Sequence, residues 1–330
     1  MQRKTFAQTL LALAAATLAF PLAAQAQVTK LTLGHGAAPG NPRHEAAVKF
    51  AEALKAKSGG RIEVQVAPSA QLGDDAAMVT ALRTGALDMS ANSQGAVSAA
   101  VPEYAAFGMP FLFADPAAAF KLLDGPVGKE LAEKSAAKNL VVLGYWDNGI
   151  RHVSNSKKAV LTPADMKGLK IRTPPDAVTI DIMTALGAET QQIKFAELYV
   201  ALQQGVVDGQ ENPLANIDAS KLYEVQKFIA LTGHKFEMTP LLISKRTWDR
   251  LSEADRKILM EAANEATAVQ RKLSREADDR LMVELPKKGV KIDKVDQSQF
   301  AKATESVTAK WTSGPIGDYV KKVVAAARAK

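Results

Sequence analysis

No cysteine occurs anywhere in the 330 residues, which excludes disulfide cross-links and thiolate chemistry. Stability must come from packing alone. Histidine is nearly as scarce. The four, His35, His44, His152 and His234, are widely spaced, so no zinc-ligand pattern forms, and "HEAAV" (44–48) lacks the second histidine at i+4 that a zinc-protease helix needs. No G-x-S-x-G and no phosphate-cradling G-x-x-x-x-G-K-[ST] is present. "GHGAAPG" (34–40) misses the G-x-G-x-x-G spacing, and the strand after it runs into Ala67-Pro68-Ser69 without an acidic residue to hold a ribose. No metal or cofactor is therefore expected. Long basic blocks are missing as well. The formal charge of +7 is spread over interspersed Lys, Arg, Asp and Glu. That speaks against nucleic acid as a partner and leaves a modest field that favours a small anion.

One long apolar run does occur, at the start. "MQRKTFAQTLLALAAATLAFPLAAQAQ" has Arg3 and Lys4, an apolar stretch from Leu10 to Phe20, and then Ala24-Gln25-Ala26. This is the pattern of a secretory leader with an A-x-A cleavage site, and the stretch falls short of the ~20 residues a membrane span needs. Removal of residues 1–26 leaves 304 residues and lowers the formal charge by two, to +5. The expectation is an exported, soluble, periplasmic chain, long enough for two lobes.

Along that chain the periodicity alternates between helix and strand. "KLTLGHG" (30–36) reads as a strand, and Ala47, Phe50, Ala51 and Leu54 mark a helix stopped by "SGG" (58–60). "RIEVQV" (61–66) is a strand, "DDAAMVTALRTG" (74–85) a helix ended by Gly85, and "ALDMSAN" (86–92) strand-like again. This β-α-β-α-β start predicts an α/β lobe with a mainly parallel sheet. "LVVLGYW" (140–146) and "IRHVSNS" (150–156) follow as separate strands, then "LKIRT" (169–173), helices around 176–186 and 195–204, "AETQQI" (188–193), "VVDGQEN" (206–212) and a buried "LLIS" (241–244). From Ser252 the stretch to Leu285 contains neither Gly nor Pro and opens with a Ser252/Asp255 capping signal. It predicts one helix of ~50 Å at 1.5 Å per residue, stopped by Pro286, leaving the core or crossing between lobes.

The chemistry that remains lies at strand ends. In "GLKIRTPPD" (168–176), Leu169, Ile171 and Thr173 alternate with Lys170 and Arg172 until Pro174 and Pro175 stop the strand. Arg172 thus sits where α/β proteins usually keep binding groups. Arg151 occupies a similar apolar strand, in "NGIRHVSN", and Asn212 lies just before Pro213. A guanidinium fork takes a carboxylate through two parallel hydrogen bonds, which lysine cannot do. On the residues alone, the two arginines can equally be surface groups, Asn212 a turn residue and Phe195 part of a core.

Together "TPADMKGLKIRTP", "FAELYVALQQGVVDGQENPLANI" and "KLYEVQKFIALTGH", with "PSAQLGDDAAM", "GALDMSA", "PFLF" and "YWDNGIRHVSNS" upstream, resemble the solute-binding proteins of tripartite ATP-independent periplasmic (TRAP) transporters. The resemblance covers essentially the whole mature chain. It implies a two-lobed α/β periplasmic binding protein fold, with crossover strands and a long helix bracing both lobes. Lobe I is then expected over 27–149 and 238–277, and lobe II over 150–237 and 278–330. It also implies a monomer that carries a small organic acid to membrane permease subunits. Arg172 is implied as the carboxylate clamp, with Arg151 and Asn212 assisting and Phe195 packing on the ligand. Uncharged "ANSQGAV" (91–97) stands where sialic-acid-binding relatives carry charges. A second ligand carboxylate would need a cation from the first lobe, and His35 and Arg43 are the residues placed for it. The wording of "LLDGPVGKEL" and "GYWDNGIR" looks closer to binders of sugar acids or four-carbon dicarboxylates. A hydroxylated monocarboxylate is the favoured ligand, with His35, Asp75, Asn92, Ser93 and Trp146 as further contacts. The competing readings are an exported carboxylate-processing enzyme, with Glu211 or Asp147 as its base, and a chemosensory ligand-binding subunit.

Overall fold

Leu31 and Leu33 turn inward from the first strand, β1 (Thr29–His35), in the computed structural model, which describes residues 28–329. The expected leader lies outside the described residues. β1 pairs in parallel with β2 (Ile62–Ala67) and with β3 (Met89–Ala91). The helix Pro42–Lys57 joins β1 to β2. It starts where the Asn41 side chain accepts the N–H of Arg43 at 2.9 Å, and it buries Ala46, Ala47, Phe50 and Leu54. The helix Asp75–Thr84 is capped by Asp74, which accepts from the Ala77 N–H at 2.8 Å, and ends at Gly85 with φ 77°. That left-handed stop suits glycine. The parallel α/β start read from the periodicity is the observed one.

A second parallel set is built from β5 (Lys170–Thr173), β6 (Glu189–Gln192) and β7 (Gly209–Asn212). Two long antiparallel strands join the sets: β4 (Leu140–Asn155) and β8 (Phe228–Ser244). β8 pairs with β3 through Leu241–Ile243, and β4 pairs with β7 through His152–Asn155. The sheet order is β2-β1-β3-β8-β4-β7-β5-β6, with β9 (Lys291–Asp293) added to β8.

These crossover strands correct the reading of residues 140–156 and 241–244. β4 is one strand of 16 residues, not two, and "LLIS" is only the end of a 17-residue β8. The register slips between Val142 and Gly144, Asp147 and Gly149, and Arg151 and Val153. Each slip breaks the period-two alternation that marks a strand in sequence. Gly149, at φ 118°, takes a backbone conformation open to glycine. β8 was hidden by its polar run, because Thr232, His234, Lys235, Glu237 and Thr239 are all buried.

The helix Glu253–Lys287 braces both sets. Ser252 caps it by accepting the Asp255 N–H at 3.1 Å. Pro286 does not stop it as expected. The helix runs one residue further, and Gly289 at φ 85° completes the exit. A proline in the last turn removes only one backbone bond, so the helix tolerates it there. Leu259, Ala262, Ala263 and Ala266 pack in the core that holds β1 and the helix Pro42–Lys57. Ala277, Leu281 and Leu285 pack in a separate core with Leu198, Leu214 and Ile217. Between these apolar faces, Gln270 and Ser274 are buried and polar. Gln270 accepts the Asp147 N–H at 2.6 Å and donates to the Asp147 carbonyl at 2.7 Å, which also accepts from Ser274 at 3.1 Å. The helix thus grips β4 at its central bulge. Among the described residues no helix is long and apolar enough to cross a membrane.

Two predictions follow from this grip. Gln270→Leu leaves the buried Asp147 N–H unpaired, at ~1–3 kcal/mol for such a group. Urea denaturation should show that loss, and an unmoved midpoint would refute it. The second concerns pH. Burial, reinforced by the Asp278 charge, pushes the Asp147 carboxyl up to about 7, against the opposing fields of Arg271 and Arg275. Burial, with Asp279, does the same to Asp278, to about 7. The folded state therefore holds more protons than the unfolded chain between about pH 4 and 7, so this contribution to stability falls as pH rises through 7. The melting temperature of Asp147→Asn relative to the parent should rise steadily from pH 4 to pH 7 and stay higher at pH 8. Equal melting temperatures at pH 8 would overturn the assignment.

Candidate functional site

Arg172 lies one residue before the end of β5, with its side chain 2% exposed. Its Nε donates to the Ile193 carbonyl at 2.8 Å, and its guanidinium carbon stands 5.8 Å from the centre of the Phe195 ring. Among the described residues no carboxylate comes within 4 Å of it. Burial pulls its pKa down to about 10, with the Glu211 charge opposing, so the group stays cationic at neutral pH. Its remaining fork borders a cavity of about 280 Å3, roughly nine waters' volume at ~30 Å3 each.

Both strand sets and the crossover strands wall this cavity. Phe195 and Asn212 join Arg172 from one side. Arg43, Asp75 and Ser93 come from the other. Arg43 stands in the first turn of the helix Pro42–Lys57, buried, donating from Nη2 to Asn148 Oδ1 at 2.6 Å. Its Nε is buried without a partner. Asp75 accepts the Ser93 N–H at 2.9 Å.

The floor is a buried charge network. Arg151, from β4, donates through Nε to the Glu211 carboxylate, through Nη1 to Glu237, and through Nη2 to the Glu211 carbonyl at 2.6 Å, Glu211 Oε1 at 2.7 Å and Asn212 Oδ1 at 3.1 Å. Arg151 borders the cavity, but these partners occupy its fork. Burial works against the Glu211 carboxylate, yet the Arg151 charge, with hydrogen bonds from His234 and Arg151, holds it at about 2. Such a carboxylate is a poor general base. Glu237 accepts from Arg151 and from Asn148 at 3.0 Å through Oε2, while its Oε1 is buried without a partner.

Contacts also span the cleft between the strand sets. Asn41 Nδ2 donates to Asn216 Oδ1 at 2.9 Å, and Asn216 in turn donates to Asn212 at 3.1 Å. At the rim, Lys194 Nζ meets Asp74 Oδ2 at 2.8 Å. Lys194 there is exposed, so solvent screens the pair and it adds little to stability.

Of the nine site residues proposed from sequence, six border the cavity: Arg172, Arg151, Asn212, Phe195, Asp75 and Ser93. Three do not. His35 is fully buried and faces His44, whose Nδ1 is 3.3 Å from His35 Nε2. Burial, with Arg43 and His44 adding to it, depresses its pKa to about 3, so it cannot serve as a cation. Asn92 spends its amide on the Asp75 carbonyl at 3.1 Å. Trp146 is fully buried against the long helix, donating to Thr267 at 3.0 Å. Regular alternation would put Trp146 and Asn148 on one face of β4, but the register slip between Asp147 and Gly149 makes Asn148 the extra residue, and it borders the cavity while Trp146 packs on the helix. Asp147, the other carboxylate weighed as a base, is buried at the helix contact and does not border the cavity. Asn148, Asn216 and Glu237 were not anticipated as wall residues. Their signal lay in the crossover strands and in "PLANI", whose polar residues look like turn or surface positions in sequence. Among the described residues no group of three or more His, Asp or Glu is arranged to hold a metal ion.

Residues 33–314 match the family described as bacterial extracellular solute-binding protein, family 7 (DctP). The protein y4mM of Sinorhizobium fredii is 58% identical over 280 residues, 84% of this chain and 52% of that protein, so this chain spans about half of its length. A solved TRAP periplasmic solute-binding protein from Polaromonas sp. JS666, bound to D-erythronate, is 36% identical with a TM-score of 0.88, covering 92% of this chain and 100% of that one. Another, from Sulfurospirillum deleyianum with bound succinate, is 32% identical with a TM-score of 0.86, covering 91% and 99%. With a family match over most of its length and this two-lobed architecture, the chain belongs to the DctP family of TRAP solute-binding proteins.

Proposed function

We propose that the protein captures a small organic acid anion, a sugar acid or related hydroxylated carboxylate or a four-carbon dicarboxylate, in the cavity between its lobes and delivers it to a TRAP membrane permease. The observation that carries this reading is Arg172: a buried guanidinium, held by one bond at Nε, with no carboxylate within 4 Å among the described residues and a cavity of ligand size in front. A ligand carboxylate supplies the missing partner through a bidentate, charge-assisted pair. Phe195 already lies beside this guanidinium, 5.8 Å from ring centre to guanidinium carbon. Arg151 acts one step back, holding Glu211, Glu237 and Asn212 in place.

The leader pattern and the family together support a periplasmic location and an export route. Lobe boundaries near 149/150, 237/238 and 277/278 put each change of lobe on β4, β8 and the long helix, the segments that span both strand sets. The anion meets Arg172 in an open form, and a hinge in the crossover strands brings Arg43, Asp75 and Ser93 over it. Closure excludes water and strengthens each charged contact. Carriage fits this wall better than conversion. Of the two carboxylates weighed as a base, Glu211 is held ionised under Arg151, and Asp147 faces the long helix.

Calorimetry tests the clamp. Arg172→Ala should weaken binding of the carboxylate by about thirty- to several-thousand-fold, as expected when one member of a buried charge pair is removed. Arg172→Lys should also bind poorly, since a point charge replaces a fork. Affinity unchanged in Arg172→Ala would sink the clamp, and recovery of the ligand chemically altered would sink carriage.

A further inference from the structure

We propose that Asn41 and Asn216 form the latch that holds the two lobes shut, and that this pair sets how fast the bound anion is released. The proposal rests on the reading of the cavity as an anion site between moving lobes.

The two side chains are mounted to meet. Asn41 caps the helix Pro42–Lys57 of the first strand set, and Pro42 fixes the first helical residue. Asn216 stands in the first turn of the helix Leu214–Ala219, which follows β7 of the second set. Leu214 and Ile217 of that short helix are buried in the core they share with the end of the long helix, while Asn216 borders the cavity. Asn41 Nδ2 donates to Asn216 Oδ1 at 2.9 Å, and both residues are buried.

Groups that can only donate fix the direction of every bond in this chain. Asn41 Oδ1 accepts the Arg43 N–H at 2.9 Å, which turns the Asn41 amide nitrogen toward Asn216. Asn216 therefore presents its oxygen to Asn41 and its nitrogen to the far side. There it donates to Asn212 Oδ1 at 3.1 Å and to Asn148 Oδ1 at 3.4 Å. Each of those oxygens also accepts from a guanidinium: Arg151 Nη2 meets Asn212 at 3.1 Å, and Arg43 Nη2 meets Asn148 at 2.6 Å. A reversed amide anywhere along this path sets like groups against each other. Both N–H groups of Asn216 are thus spent within the protein, which leaves it no donor for a ligand.

The latch also reaches the hinge. Asn148 belongs to the β4 bulge, and beside it a Cβ on Gly149 would stand 2.8 Å from the Pro213 side chain. The helix that carries Asn216 is therefore seated on the bulge itself, and one amide touches both lobes and the strand between them. The other bridge across the cleft, Lys194 to Asp74, is ionic, and its lysine is 61% exposed. Water and salt screen that pair. The amide pair is buried in the closed form and neutral, so water replaces it without stranding a charge when the lobes part. It stabilises the closed form alone. Because the anion meets the open form, the effect falls on release and not on capture.

Stopped-flow kinetics on the exported chain test this, with whichever of D-erythronate, D-galactonate and succinate binds the parent most tightly as the probe. Asn216→Ala should speed release ~3–10-fold, as expected for the loss of a neutral hydrogen bond, and leave the association rate unchanged. Asn41→Asp keeps an oxygen for the Arg43 N–H, and aspartate caps a helix as well as asparagine does. It nevertheless sets an acceptor against the Asn216 oxygen, and Asn216 cannot turn to meet it without facing its own oxygen to Asn212 and Asn148. Release should quicken ~10-fold or more, while the melting temperature of the ligand-free protein stays at or above that of the parent. Added to Asn216→Ala, the same change should cost less than it does alone, because its partner is gone. Lys194→Ala should matter less than Asn216→Ala, with an effect that vanishes in high salt. A merely structural role would lower the melting temperatures and leave release unchanged, and that result overturns the proposal. So does an additive double variant, or a larger effect from Lys194→Ala than from Asn216→Ala. If release ignores both asparagines while Arg172→Ala still abolishes binding, only the latch fails. If no probe binds, or binding ignores Arg172, the reading of the cavity fails and the latch with it.

Discussion

A single buried guanidinium, Arg151, organises the centre of the molecule. It comes from β4, is gripped by Glu211 of β7 and Glu237 of β8, and steadies Asn212 at the cavity wall. Burying three charges is costly unless each is well paired, and removing one partner leaves an uncompensated charge in the interior. The network therefore ties the crossover strands to the second parallel set at one point. It also separates the two arginines of the cavity wall. Arg151 has its carboxylates within the protein, whereas among the described residues none comes within 4 Å of Arg172.

The long helix works with this network from the opposite side of the sheet. Its two apolar faces belong to two different cores, and its polar middle holds the Asp147 backbone where β4 bulges. A two-lobed binder needs flexible crossover strands, yet they must not separate. The bulges supply local irregularity, and the helix keeps the halves in register. Amide bridges such as Asn41 to Asn216 cross the cleft with neutral groups. Neutral bridges can break and reform without stranding a buried charge.

Local chemistry was legible wherever the residues that matter are neighbours in the chain. The Arg172 strand end follows from three alternating residues and two prolines, and the structure puts that arginine in the cavity wall. Gly85 as a stop and Ser252 as a cap are read the same way. Trp146 and His35 misled because type and position looked functional, while facing depends on strand pairing that only the sheet establishes. β8 escaped notice because buried polar residues imitate an exposed segment. Glu237 is among them, and it becomes part of the site only when Arg151 and Asn148, 86 and 89 residues away, are brought against it.

By itself, then, the sequence determined the alternation of strands and helices, the long brace, the absence of thiol chemistry, and the strand-end arginine. Through its resemblance to a family, it also determined the class of protein. The tertiary structure alone decided which arginine has its charge answered from within, which polar groups remain unpaired, and which residues of the two halves share one cavity. The reason is physical: charge balance and hydrogen-bond satisfaction are properties of groups in contact. Here those contacts join residues far apart in the chain, beyond the reach of any local pattern.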